Sequence, residues 1–337
     1  MMKKGLKIRN KEFTFGLGRF REVGLLIFII VISIIINLRN PNFLSFGNIH
    51  DMLLDTSILA ILAVGMMLVI VTRGIDLSIG SGVALTGMIV GLTVSRYQQV
   101  PPAVAILMGI ALGVGLGAIT GLIVSKGKVL PIIATLGMMN VYRGITFIVS
   151  GGKWVNAHQM SENFKLMTRN TVFGLSNLII FAAVVYIVSY YFINHTRTGR
   201  QIYAVGSNPA AAKISGIMVD KIIFLVYTLM GALYGMAGVL WVSRYSSAQN
   251  DTATGFEMMV ISACVIGGVN MTGGTGNISG LLLGSLLVGI INNALPLIKV
   301  SPFWKQAIQG FVILFAVMVN ALILRRVERN NLSKRKI

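Results

Sequence analysis

Charge is scarce in this chain, and acidic charge scarcest. Of 337 residues only 12% are charged, with ten Asp and Glu against 29 Lys and Arg. That share is about half the soluble norm of roughly 25%. With 55% hydrophobic residues, a soluble core cannot hide the apolar surface, so the chain is an integral membrane protein. One cysteine, Cys264, excludes an intrachain disulfide. Three histidines, His50, His158 and His195, are scattered without HExxH spacing or a neighbouring cysteine, which argues against a metal site. No GxxxxGK[ST] phosphate loop and no GxSxG elbow occur. Catalysis therefore has no candidate residues. If solute moves uphill, ATP is spent by another chain or an ion gradient drives it. The net charge of +19 sits in clusters at the ends of apolar spans. That is the signature of membrane orientation, not of a nucleic-acid surface.

Long apolar runs are what the chain has in abundance. They lie near 23–38, 56–72, 75–95, 102–125, 129–150, 174–194, 221–243, 257–270, 276–298 and 303–324. About 20 residues at 1.5 Å each cross the hydrocarbon, so these are ten spans, the first at the short end. The runs are near-continuous, unlike the alternating strands of a barrel, and the expected class is all-α. The first run follows a basic segment, as a signal peptide does, but no small-residue cleavage site follows it, so it reads as an uncleaved span. The division expected is an N-terminal tail at 1–22, one transmembrane domain at 23–324 and a C-terminal tail at 325–337. Within the domain, halves at 23–194 and 221–324 flank a central loop at 195–220.

Basic residues choose the orientation. Seven before the first span, Arg73, Lys126, Lys128, four over residues 195–221 and six after Leu324 make 20 of the 29. Placing them inside puts both termini and the central loop in the cytoplasm, with the 151–173 loop outside.

That central loop spells a short helix over 207–216. Asn208 is a cap, Pro209 fits the first turn, three alanines follow and Gly216 is a stop signal. Asp220 is placed to cap the next span. A small exposed helix between two membrane halves is a feature a partner could grip; an ordinary loop is the plainer alternative.

Two joints are unusual. VTRGIDLSIGSG joins spans two and three with almost no loop, and GGVNMTGGTGNISG joins spans eight and nine. Broken helices in each half of a transporter often mark the solute route. Asp76, Ser78, Asn140, Asn270 and Asn292 are the candidate pathway residues. Asp76 either caps span three, or lines the route; Arg73, three residues before it, is a possible ion-pair partner. A gradient-driven transporter would need paired membrane carboxylates. Only Asp76 and Glu257 are candidates, and this topology puts them at opposite edges. Glycines four apart, Gly109, Gly113, Gly117 and Gly121, read as helix packing.

The run ILAVGMMLVIVTRGIDLSIGSGVALTG resembles the permeases of bacterial ribose-type sugar ABC importers. The resemblance continues in LPIIATLGMMNVYRGITFIVSGG, TGRQIYAVGSNPAAAKISGI and GFEMMVISACVIGGVNMTGGTGNISG, in the same order. It implies a type II importer-like permease of ten helices, paired with a second permease chain of the same or a sister kind, in the plasma (inner) membrane among lipid. ATP would be bound by a cytoplasmic ABC ATPase and no cofactor by this chain. Solute would come from an extracytoplasmic binding protein. Arg200, Gly206, Asn208, Pro209, Ala211 and Gly216 would form the loop that docks on the ATPase. The solutes implied are ribose, rhamnose or autoinducer-2, with GGKW at 151–154 leaning toward the last two. Related permeases carry nucleosides or branched amino acids.

Overall fold

The computed structural model describes residues 22–298 and, beyond them, positions 304, 307, 310, 311, 314 and 318, all helical. Of the expected tails at 1–22 and 325–337, only Glu22 is among the described residues, and it lies at the start of the first helix; most of the tenth span also falls outside them. Among the described residues, eight helices are long and apolar enough to cross a membrane. They are α1 (Glu22–Arg39), α2 (Phe46–Val71), α3 (Ile79–Arg96), α4 (Pro102–Ser125), α5 (Pro131–Ser150), α7 (Asn177–His195), α10 (Val219–Tyr245) and α12 (Ile278–Leu297). A ninth apolar helix, α11 (Phe256–Ile266), is shorter.

Helix α2 is the hub. Its run is apolar on every side, and such a helix belongs in an interior. It is buried from Leu54 onward almost without interruption and packs on α7, α10, α11 and α12. Ser45 starts it, its hydroxyl accepting from the Asn48 N–H at 3.3 Å. The helix thus begins ten residues before the apolar run does. His50, Asp51 and Asp55 in that first part hid it from a hydropathy reading.

The four-residue glycine spacing sets a long, close helix contact. A Cβ on Gly113 would lie 2.1 Å from the Gly231 carbonyl oxygen, and one on Gly117 2.4 Å from that of Tyr227. Reciprocally, a Cβ on Gly235 would lie 2.2 Å from the Gly109 carbonyl oxygen. Helices α4 and α10 therefore touch backbone to backbone, as small residues at four-residue spacing permit in a membrane.

Loops that read as unstructured are folded. The 151–176 segment holds a 3-10 turn (Ala157–Gln159), α6 (Glu162–Arg169) and a hairpin of β1 (Thr171–Val172) with β2 (Leu175–Ser176). Phe173 and Gly174 turn that hairpin at φ of 52° and 79°. Val155 and Ala248 exchange two backbone hydrogen bonds of 3.0 Å, tying this segment to the one after α10. In the central loop two helices form where one was expected: α8 (Arg197–Ser207) and α9 (Pro209–Ile214). Gly199, Ile202, Val205 and Gly206 give α8 a buried stripe, at a spacing that the basic residues of this loop mask in a hydropathy profile.

Candidate functional site

Helix α9 begins and ends as its residues dictate. Asn208 Oδ1 accepts from the Ala211 N–H at 3.1 Å, Pro209 occupies the first turn, and Gly216 leaves it at φ 79°. Ala212 faces inward, whereas Ala210, Ala211, Lys213 and Ile214 are exposed. Arg200 is exposed on α8. Gly206 is not on the outer face with them. A Cβ there would lie 1.7 Å from the Val71 carbonyl oxygen and 2.8 Å from the Gly274 nitrogen. Its smallness serves an approach within this chain.

Three segments meet at that point: the end of α2, the end of α8, and the turn between α11 and α12. The Gly274 N–H donates to the Val71 carbonyl at 2.9 Å. Arg73 reaches across with Nε to the Gly206 carbonyl and Nη2 to the Ser207 carbonyl, both at 2.6 Å. A cation on the last carbonyls of a helix is favoured by the helix dipole as well as by hydrogen bonding. Tyr203 on α8 donates to the Gly276 carbonyl at 2.8 Å. Burial pushes its phenol up to about 12, so the hydroxyl stays a donor. Asn270 holds the turn itself, Oδ1 accepting from the Thr272 N–H at 3.1 Å and hydroxyl at 3.0 Å. Gly273 and Gly274 pass through it at φ of 87° and 76°, which favours glycine.

Arg73 is thus engaged with α8, not with Asp76. The ion pair anticipated between them does not form, because Arg73 sits at φ 68° and the chain reverses after it. Asp76 is 1% exposed and accepts from the Ser78 N–H at 2.8 Å and the Ser78 hydroxyl at 2.6 Å. Helix α3 starts at Ile79 with Ser78 as its cap residue, so Asp76 shapes the turn before the helix instead of capping it. Likewise Asp220 lies inside the first turn of α10, whose cap residue is Met218, and pairs with Lys128. Thr135 on α5 donates to the Ile75 carbonyl at 3.1 Å and steadies the same break. A Cβ on Gly74 would lie 2.6 Å from the Tyr227 hydroxyl. Tyr227 and Tyr234 are buried, and the Tyr227 hydroxyl has no hydrogen-bond partner among the described residues.

Glu257 is near this break too. A Cβ on Gly80 would lie 2.8 Å from Glu257 Oε2 and 2.3 Å from the Ala253 carbonyl oxygen. The starts of α3 and α11 therefore converge, and the placement of Asp76 and Glu257 at opposite membrane edges is corrected. The reason is that the chain between α10 and α11 does not cap the bundle but descends into it. The other pathway candidates lie apart. Asn292 on α12 contacts the Met259 sulfur at 3.5 Å, and Asn140 is exposed on α5, donating to the Leu136 carbonyl at 3.1 Å. Among the described residues no group of three His, Cys, Asp or Glu could hold a metal ion.

Comparison with known proteins gives this architecture a lineage. The chain is 42% identical over 297 residues to the ribose import permease protein of Escherichia coli (strain K12), covering 88% of this chain and 92% of that one. It is 33% identical over 332 residues to the galactose/methyl galactoside import permease protein of the same strain, 94% of this chain and 97% of the relative. To the autoinducer 2 import system permease protein of Enterobacter sp. (strain 638) it is 32% identical over 310 residues, 92% and 89% respectively. No solved structure gives a significant match. Residues 48–317 match the family described as branched-chain amino acid transport system / permease component. Over that span, and with eight membrane-length helices among the described residues, the chain belongs to this permease family: a multi-pass membrane protein and a transport component, not an enzyme.

Proposed function

We propose that the chain is the membrane subunit of an ATP-driven importer for a small neutral sugar. One observation carries the mechanical part: an exposed short helix, α9, grows from a seam that fastens it to both helix breaks. A partner moving α9 moves Ser207 and Gly206, and through Arg73 and Gly274 it moves the starts of α3 and α12. Coupling of this kind needs two arrangements that bind the partner differently. Ala210, Ala211 and Ile214 offer a small, apolar, exposed face for a cytoplasmic ATPase groove, with Arg200 and Lys213 at its rim. Such rim charges steer association more than they set affinity.

The sugar part rests on the relatives, whose names specify ribose, galactose and autoinducer 2. Identity is higher to the ribose permease than to that for autoinducer 2, which outweighs the GGKW resemblance. Solute would arrive from an extracytoplasmic binding protein. Asp76, Ser78, Asn270 and Asn292 stand by the breaks and the α11–α12 contact along its way. Asn140, an amide on an otherwise apolar exposed face, is a poor neighbour for lipid and a fair one for a second permease chain. The transmembrane domain at 23–324 would work as one unit between cytoplasmic tails.

The test places Trp at Ala211, where the side chain is exposed and the spans are not disturbed. Expected is a normal membrane level, loss of ATPase co-purification and loss of ATP hydrolysis stimulated by binding protein. Full uptake and full stimulated hydrolysis would refute the docking role. Uptake that persists without any ATPase would favour a gradient-driven carrier.

A further inference from the structure

The segment between α10 and α11 descends beside α3 without being helical. Ala248 packs at Gly91, where a Cβ would lie 3.0 Å from the Ala248 Cβ, while Ala253 packs at Gly80. Those two glycines are eleven residues apart on one helix, so the segment drops about 16 Å along α3 at 1.5 Å per residue. Non-helical backbone at membrane depth is tolerated only where it is buried in protein or lines a water-filled cavity. Here it lines a cavity of about 690 Å³. That size is in the range of small-molecule sites, roughly 300–1,000 Å³.

The lining has a definite chemistry. Trp241 sits with Tyr245 and Phe256, ring centroids 5.2 Å away in each case, with Phe256 edge-on at 86°. Gln249, Asp251 and Thr254, on the descending segment, line the same cavity. Aromatic rings sharing one cavity with an amide, a carboxylate and a hydroxyl match a molecule with an apolar C–H face and several hydroxyl groups. A belt of interfacial aromatics, the plainer account of Trp and Tyr at a helix end, would face lipid. These rings share a concavity with polar side chains instead.

The polar side is held in place from outside. Arg143 Nη1 donates to the carbonyls of Asn250 at 2.7 Å and Thr252 at 2.9 Å. Arg169 donates to the Ser246 hydroxyl at 2.8 Å. Ser246, Ala253 and Gly255 lie at φ of 51°, 56° and 78°. Left-handed residues other than glycine persist where surrounding contacts fix them. Such fixing is what a preorganised site needs.

We infer that this cavity is a sugar subsite of the permease itself: a vestibule that takes a neutral monosaccharide on the side of the bundle opposite α8 and α9. Trp241 stacks on the C–H face, Asp251 and Gln249 pair with hydroxyls, and Thr254 borders the rim. Ala253 lines it, and its carbonyl lies against Gly80, so the subsite adjoins the start of α3. The inference rests on the sugar-import reading above, and the experiment separates the two.

The complete importer (this chain, its ATPase and its binding protein) is reconstituted in liposomes, and tritiated D-ribose and D-galactose are counted against ATP hydrolysed. Trp241→Ala and Asp251→Asn are expected to lower sugar moved per ATP about tenfold or more, since a site built to hydrogen-bond hydroxyls loses strongly when a partner is removed. Hydrolysis stimulated by binding protein stays at the unsubstituted level, and Trp241→Phe recovers most of the sugar movement. Because Trp241 packs on two rings, a second variant is assembled first and blocked afterwards. Thr254→Cys is treated with an impermeant thiol reagent, native Cys264 being buried. The block is expected to stop uptake, and millimolar D-ribose to slow labelling. Unchanged sugar per ATP in both Trp241→Ala and blocked Thr254→Cys overturns the subsite and leaves the importer reading intact. Loss of stimulated hydrolysis together with uptake overturns it also, making the face a dock for the binding protein. An unsubstituted importer that moves neither sugar overturns the sugar reading, and the subsite with it.

Discussion

The Arg73 guanidinium donates through Nε to the carbonyl oxygen of Gly206 at 2.6 Å, joining the end of the first broken span to the end of α8. A second bond from the same group, to Ser207, makes the contact a fork. One planar cation thus spans the last two carbonyls of a helix, something a lysine ammonium cannot match in geometry.

Removing that fork uncouples the loop without removing it. Arg73→Ala deletes two charge-assisted bonds, each worth about 1.5–3 kcal/mol. Hydrolysis stimulated by binding protein is expected to drop about tenfold or more, with the permease still inserted and the ATPase still co-purifying. Arg73→Lys should recover part of it. Wild-type stimulation in Arg73→Ala would mean that the seam carries no force.

Gly206 tests the same seam from the other side. An added methyl would overlap the Val71 carbonyl oxygen at 1.7 Å, and backbone cannot step aside as a flexible side chain can. Gly206→Ala should therefore part α8 from α2 and expose the loop. Limited trypsin digestion of membranes reads this directly, through faster cleavage at Arg200 and Lys213. Unaltered cleavage would show that α8 tolerates the shift.

Much of this was legible beforehand because local chemistry decided it. The cap at Asn208, the proline after it and the stop at Gly216 act within a few residues, and α9 obeys them. The glycines of α4 declared a packed face by spacing alone. What spacing could not declare was the partner across a gap in sequence. Arg73 lies 133 residues from Gly206, and nothing local distinguishes an arginine that pairs with Asp76 from one that caps a distant helix. Glu257 failed for a related reason: hydropathy counts a descending, non-helical segment as a loop at the membrane edge. The candidate cavity was hidden with it, since Trp241 and Asp251 meet only after that descent.

Asp76 separates structure from chemistry. Its carboxylate accepts from the Ser78 N–H and hydroxyl, and an amide oxygen can accept from both. Asp76→Asn should keep uptake within about twofold, as Asn and Asp hold such turns about equally. Asp76→Ala should lose the turn and about 1–2 kcal/mol of stability, seen as a lower unfolding temperature in detergent. Loss of uptake by Asp76→Asn with unchanged unfolding would assign the charge itself to the solute route.

The α4–α10 contact makes a sharp contrast within one helix. Gly113→Ala would press a methyl to 2.1 Å from the Gly231 carbonyl oxygen, whereas a Cβ on Gly115 meets nothing within 4 Å. Overpacking of this kind costs about 1–3 kcal/mol. Thermal unfolding in detergent should fall for Gly113→Ala and stay level for Gly115→Ala. Equal behaviour of the two would mean that the helices part freely.

Orientation is the last matter, and two tips of the fold are well placed to read it. Phe173 at the β1–β2 turn is fully exposed, and Ile214 at the end of α9 is 88% exposed. They sit at opposite ends of α10: Ile214 lies just before its start, and the 155–176 segment is bonded to the strand that follows its end. Basic residues gather at the α9 end, where Arg73, Lys126, Lys128, Arg197, Arg200, Lys213 and Lys221 lie in or beside the short loops that set topology. Single cysteines at the two tips, with Cys264 replaced, are therefore expected to differ in intact cells. An impermeant thiol reagent should label Phe173→Cys and spare Ile214→Cys until the membrane is opened. Labelling of position 214 alone would invert the topology. The exposed face of α9 would then point away from any cytoplasmic ATPase, and the proposed drive would fail on geometry before any transport was measured.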